Sequence, residues 1–235
     1  MTASPFILMP THHEQAVESL RNKLLTMASH AETAVSRAVR SLAEQDNNLA
    51  RQVEADDDIL DRFEMEIDET AVNLLARAPL ASELRLITVA MKISHELERV
   101  GDTATTIARR AVKLNLEPSR GFQTGINTMC EIGLGMLRDA LDAFVNRDLD
   151  QARAVIPRDK EVDALNKQLH EELTRLMMEQ PGAIPGCLHL MVVSKSLERI
   201  GDHAKNVAED VVYLYEGRDI RHAARAAEPD PKPAS

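Results

Sequence analysis

Four carboxylate pairs hold the chemistry this chain can do. Glu98 and Asp102 stand four residues apart, as do Glu198 and Asp202, Asp57 and Asp61, and Asp159 and Asp163. Four residues is about one helical turn, so each pair projects from one face of a helix. Like charges at that spacing repel by a few tenths of a kcal/mol in an isolated helix. Carboxylates gathered in this way can hold hard or borderline cations, which prefer oxygen ligands. A solvated acidic face has the same appearance at any single pair, and both readings stand.

Repetition gives the pairs their weight. Met91 to Val112 reads MKISHELERVGDTATTIARRAV and Met191 to Val212 reads MVVSKSLERIGDHAKNVAEDVV, with ten of twenty-two positions identical, which chance does not produce. The match extends upstream once two extra residues are allowed in the second copy. Met27, Ala38, Asp46, Ala50, Val53, Asp57, Asp61 and Glu69 then fall on Met129, Ala140, Asp148, Ala152, Val155, Asp159, Asp163 and Glu171. The unit is therefore roughly 100 residues, and two copies make the chain.

The elements that carry the pairs follow from composition and punctuation. Tryptophan is absent and aromatics are 3%, while Ala, Leu, Glu and Arg abound, an inventory for helices and a poor one for strands. Breaks at Asp46–Asn47, Pro79, Pro118–Gly121, Asp148 and Pro181–Gly182 predict helices over about 14–44, 48–77, 82–115, 121–146, 149–180 and 184–216. The third helix steps by four and three through Ile93, Leu97, Val100, Ala104, Ile107, Ala111 and Leu114, and its copy through Val193, Leu197, Ile200, Ala204, Val207, Val211 and Leu214. The second helix does the same at Val53, Leu60, Phe63, Ile67 and Leu74, matched by Val155, Val162, Leu165, Leu169 and Leu176.

Short loops make neighbouring helices antiparallel, so the expectation is an all-α chain of two tandem antiparallel three-helix bundles. The divisions are a flexible arm at 1–13, bundles at 14–117 and 118–217, and a disordered tail at 218–235. The acidic pairs fall outside the apolar seams, on what should be an outer surface of each unit. Gly101 and Gly201 interrupt the third helices at about 1 kcal/mol each relative to alanine, which predicts close packing by a neighbouring backbone.

The copies also differ. Asp202 is followed by His203, Asn206 and Glu209, which continue an oxygen-rich face, but Asp102 by Thr103, Thr106 and Arg109, so the first site should be poorer. Pro157 should kink the helix that carries Asp159. His95, His170 and His189 read as surface or packing residues.

Other function classes recede. Cys130 and Cys187 form no C-x-x-C and read as buried reduced thiols. The net charge of −10 argues against nucleic acid and anionic lipid as partners. The charge-free stretches are too short and too interrupted to span a bilayer, predicting a soluble intracellular chain. No P-loop, G-x-G-x-x-G, G-x-S-x-G elbow or Glu-x-x-His occurs, so catalysis is the weaker class.

The doubled LERVGD and LERIGDHAKNVAEDV segments, with acidic pairs on the preceding helix, closely resemble the PhoU family of phosphate-uptake regulators over nearly the whole folded chain. The resemblance implies a cytoplasmic adaptor, not an enzyme. It would link the nucleotide-binding subunit of a phosphate ABC transporter to a phosphate-sensing histidine kinase, repress phosphate-starvation genes when phosphate is ample, form a homodimer and meet the membrane only through partners. It also implies multinuclear iron or zinc, ahead of manganese or magnesium, on Asp57, Asp61, Glu98 and Asp102 and on Asp159, Asp163, Glu198 and Asp202. A carboxylate-bridged metal store or metalloenzyme is the alternative that the acidic pairs alone permit.

Overall fold

The computed structural model describes residues 12–77, 80–116 and 123–221, and all regular structure among them is helical. The order is α1 (His12–Ala43), α2 (Asn47–Ala55), α3 (Asp58–Leu75), α4 (Ala81–Leu114), α5 (Gln123–Asn146), α6 (Leu149–Val155), α7 (Asp159–Glu179) and α8 (Ile184–Glu216), with short 3₁₀ turns at Ile156–Arg158 and Pro181–Ala183. In the first half α1, α2–α3 and α4 pack together; in the second α5, α6–α7 and α8 repeat the arrangement. The halves meet where α4 lies along α8. Of the flexible arm and tail expected at the ends, residues 12–13 belong to α1 and 218–221 follow α8, and the rest lie outside the described residues.

The two copies open their second segment alike. Gln45 and Arg147 take left-handed backbone, with φ of 56° and 59°. The next amides then reach back five residues, Asp46 N to Ser41 O at 2.9 Å and Asp148 N to Ala143 O at 3.0 Å, a Schellman closure of α1 and α5. Asp46 in turn caps α2 by accepting from the amides of Asn48 and Leu49, and Asp148 caps α6 by accepting from Gln151. This is why these aspartates recur in the repeat.

The apolar seams face inward as their spacing requires. Ile93, Leu97, Val100, Ala104, Ile107 and Ala111 are buried along α4, and all seven equivalents along α8. Each fully buried Leu or Ile contributes about 1.5–3 kcal/mol. α4 and α8 bury more than one stripe because each packs on its own unit and on the other central helix.

The continuous helix expected over 48–77 is two helices. Asp56 and Asp57 form a turn, with Ile59 N bonding Asp56 O at 3.1 Å and Leu60 N bonding Asp57 O at 3.2 Å. The second copy breaks at the matched place, where Pro157 cannot donate an amide. Three consecutive aspartates do in one copy what proline does in the other, since short acidic side chains favour a helix start over a helix interior.

The two mid-helix glycines are not equivalent, and the nearest atoms an added Cβ would meet are side chains at both, although Gly133 of α5 approaches the backbone of α8 at Gly201. A Cβ at Gly101 would overlap Leu60 Cδ1, whereas one at Gly201 would find Asp159 Oδ1 and Val162 Cγ2 at 3.5 Å, ordinary contact. Leu60 is buried, so it must push its neighbours aside. Overpacking of about 1–3 kcal/mol then outweighs a helix gain of about 1 kcal/mol. Gly101→Ala should therefore destabilise the protein by about 1 kcal/mol and Gly201→Ala should be neutral or stabilising. Urea midpoints of the two variants check the difference, and equal effects would contradict it.

Candidate functional site

The breaks before α3 and α7 set the acids in place. They put Asp57 and Asp159 at the start of α3 and α7, where the positive end of the helix dipole favours negative charge, and turn each first turn toward α4 or α8. Asp159 is thus a first-turn acid, and more besides, because it is only 5% exposed against α8.

In the first half Asp57 and Glu98 are partly buried and Asp61 and Asp102 exposed. Burial, then the charges of Asp57 and Asp102, raise Asp61 above the ordinary carboxylate range; burial, then Asp102 and Glu64, raise Glu98. The four acids named from the sequence therefore sit within each other's fields. Asp57 is already engaged, since Thr105 Oγ1 donates to its Oδ1 at 2.8 Å.

Two neighbours without acid-pair spacing, Glu64 and His95, join the first cluster. Glu64 lies seven residues beyond Asp57 on the same face, and His95 sets Nδ1 3.0 Å from Glu64 Oε1 while its Nε2 accepts from Arg99 Nε at 3.0 Å. His95 is a surface residue, but it belongs to the cluster. Among the described residues, Glu64, His95 and Glu98 form a group of three whose ligand atoms all lie within 4.8 Å of one another.

The second half is more enclosed. Asp159 and Glu198 are 5% and 8% exposed, with Asp202 half-buried and Asp163 at the surface. Burial, then Asp159 and Glu198, raise both Asp163 and Asp202. Two lysines offset part of this repulsion: Lys205 Nζ lies 2.8 Å from Asp159 Oδ2 and Lys195 Nζ 2.5 Å from Glu198 Oε1. The first copy has Thr105 and His95 at those places. The other oxygens, Asp159 Oδ1 and Glu198 Oε2, are buried without a hydrogen-bond partner among the described residues. A buried carboxylate oxygen left unpaired is costly, and a cation would satisfy it.

The expected oxygen-rich extension of this face does not form. Asn206 turns to α4, donating to Glu96 Oε2 at 3.3 Å, and Glu209 is buried near Lys205 and Arg221. Arg109, its counterpart, pairs with Glu54 at 3.2 Å. His203 Nδ1 also meets Glu96 Oε2, at 2.6 Å, and so ties the halves together. Of the remaining histidines, His189 lies 3.4 Å from Arg110 and His170 is partly buried. Cys130 and Cys187 are buried and free, and burial pushes the Cys130 thiol up to about 11.

Burial works against ionised Glu96, but the hydrogen bonds from His203 and Asn206 outweigh it and lower its pKa. A lowered carboxylate pKa adds stability above the unfolded value of about 4.3, which is lost as pH falls through the folded value. Glu96→Gln should therefore destabilise by about 1–3 kcal/mol at neutral pH, with the difference shrinking below about pH 4. Denaturant titrations at both pH values check this, and a pH-independent difference would contradict it.

Two copies of a three-helix unit, each laying a carboxylate cluster against its last helix, define a tandem helical-repeat protein. The PhoU domain model matches residues 24–111 and again 126–211, and the chain belongs to the PhoU family. The chain is 43% identical over 220 residues to the phosphate-specific transport system accessory protein PhoU homolog of Pseudomonas putida, covering 90% of this chain and 86% of the relative. It is 35% identical over 207 residues to the phosphate-specific transport system accessory protein PhoU of Escherichia coli, covering 88% and 86%. The crystal structure of PhoU from Pseudomonas aeruginosa superposes with a TM-score of 0.84 at 42% identity, covering 87% of this chain and 99% of that one. The phosphate transport system regulatory protein PhoU from Streptococcus pneumoniae gives 0.83 at 26% identity, covering 89% and 99%.

Proposed function

We propose that this chain is a cytoplasmic regulator of phosphate uptake, an adaptor that binds the nucleotide-binding subunit of a phosphate ABC transporter and the cytoplasmic region of a phosphate-sensing histidine kinase. On this reading it represses phosphate-starvation genes when phosphate is ample, acts as a homodimer without catalysis, and reaches the membrane only through its partners. The observation that carries the reading is the double PhoU domain, shared over most of the chain with proteins named as accessories of phosphate-specific transport. Among the described residues no helix is long and apolar enough to cross a membrane, which agrees with contact through partners. Co-purification from cells with both proteins tests it; recovery of neither would count against it.

Cation binding by the acidic clusters is part of the reading. Asp159, Asp163, Glu198 and Asp202 make the more enclosed site for a cation such as iron or zinc, with two buried oxygens lacking partners among the described residues although Lys195 and Lys205 already offset part of its charge. Asp57, Asp61, Glu98 and Asp102 form the more open site, beside the one group of described residues, Glu64, His95 and Glu98, whose ligand atoms lie within 4.8 Å of one another. A bound cation would supply charge neutralisation, holding α7 against α8 and α3 against α4. The donor set is all oxygen in the second half, which also accommodates manganese or magnesium.

A further inference from the structure

Where the halves meet, the two copies of the repeated segment border a common polar cleft of about 410 Å³. Arg99, Asp102 and Thr103 line it from α4, and Arg199, Asp202, His203 and Asn206 from α8. The arginines and aspartates are repeat equivalents, so each unit brings one of each. Among the described residues neither arginine forms an ion pair, although two carboxylates share the cleft with them. Arg99 is oriented through its Nε, which donates to His95. His203 and Asn206 are fixed by Glu96 Oε2, at 2.6 and 3.3 Å. Arg99, His203 and Asn206 are thus held by contacts that leave the cleft itself open.

We propose that this cleft binds a tetrahedral oxyanion that keeps a hydrogen at neutral pH, the chemistry of inorganic phosphate. Two guanidinium groups on opposite walls present planar donor forks that match tetrahedral oxyanions. In the cation-free chain Asp102 and Asp202, which the cation reading also uses, decide which oxyanion fits. A carboxylate repels a fully deprotonated anion but accepts a hydrogen bond from an O–H group, and at neutral pH phosphate keeps a hydrogen that sulfate lacks. Arginines therefore supply affinity and aspartates supply selectivity. This goes beyond the adaptor reading, because it gives the chain its own ligand at the junction of the halves. A ligand held from both sides favours whichever arrangement of α4 and α8 closes on it.

Isothermal titration of the full chain, treated with chelator and free of phosphate, tests the assignment with sodium phosphate, sodium sulfate and O-phosphoserine. One phosphate per chain should bind saturably, and sulfate roughly ten-fold or more weakly. Arg99→Gln and Arg199→Gln should each weaken phosphate by roughly ten-fold or more, with Arg→Lys intermediate and the Tm of the free protein unchanged. Arg153→Gln, which removes a distant pairing with Glu216, is the control and should bind like the parent. Asp202→Asn should erase the preference for phosphate over sulfate. O-phosphoserine, whose ester is mostly deprotonated at neutral pH, should bind about as weakly as sulfate, and phosphoserine binding as tightly as phosphate would overturn the assignment. No saturable heat at millimolar phosphate, binding undiminished in the double Arg→Gln variant, or sulfate equal to phosphate would overturn it. Co-purification with partners is scored separately, so a negative titration leaves the adaptor reading intact.

Discussion

Replacing Glu198 by Gln together with Asp202 by Asn is expected to strip bound metal from the second half and, with it, a metal-dependent rise in Tm of roughly 5–10 °C. The size follows from linkage: a cation present at 100 times its Kd, and bound to the native state alone, stabilises by about 2.7 kcal/mol. A chain of this length shifts about 2–4 °C per kcal/mol. The paired variant Glu98→Gln with Asp102→Asn should lose less. Its cluster is more exposed, whereas Asp159 and Glu198, each with one oxygen on a lysine, keep a second, buried oxygen without a hydrogen-bond partner among the described residues. Elemental analysis of protein purified without chelator or affinity tag, with melting curves before and after adding iron or zinc, reads both variants. Unchanged metal content and Tm in both would reduce the clusters to acidic faces, the second neutralised by Lys195 and Lys205.

The second large effect lies between the halves. Lys92 on α4 reaches Asp210 on α8, Nζ to Oδ1 at 3.0 Å, and sits 5.1 Å from the centre of the Tyr213 ring. Asp210 is 4% exposed, and burial raises its pKa against the pull of Lys92 and the more distant Arg221 at 3.8 Å. Removing one partner of a buried pair costs about 3–5 kcal/mol because the other charge is stranded. Arg221 relieves part of that here, so Lys92→Met should lose about 2–4 kcal/mol at neutral pH. Asp210→Asn in the Lys92→Met background should recover part of the loss by removing the stranded charge. Urea denaturation of the single and double variants checks this, and a double variant no more stable than Lys92→Met would contradict it.

The helical fold was legible because apolar spacing and turn residues are local signals, and because the repeat let each half corroborate the other. The break at Asp56–Asp57 escaped notice because no proline marks it; its twin at Pro157 was the available signal, and the repeat could have carried it across. That the acids of each pair share one helix face was legible from their spacing. Their unequal burial was not, because nothing in the sequence reveals that α7 presses Asp159 against α8. Lys195, Lys205, Glu64 and His95 went unread as partners, since their contacts depend on helix-to-helix register. Asn206 and Glu209 were misassigned for the same reason: spacing gives a face, but packing decides what that face meets. Arg99 and Arg199 recur in LERVGD and LERIGD, and that recurrence was a usable signal for the cleft.

The measurement that bears most directly on the proposed function is the transcript level of phosphate-starvation genes, in ample phosphate, in cells lacking this chain. A regulator that represses those genes predicts strong expression in the deletion strain and restored repression when the intact chain is supplied. Full repression in its absence would contradict the account.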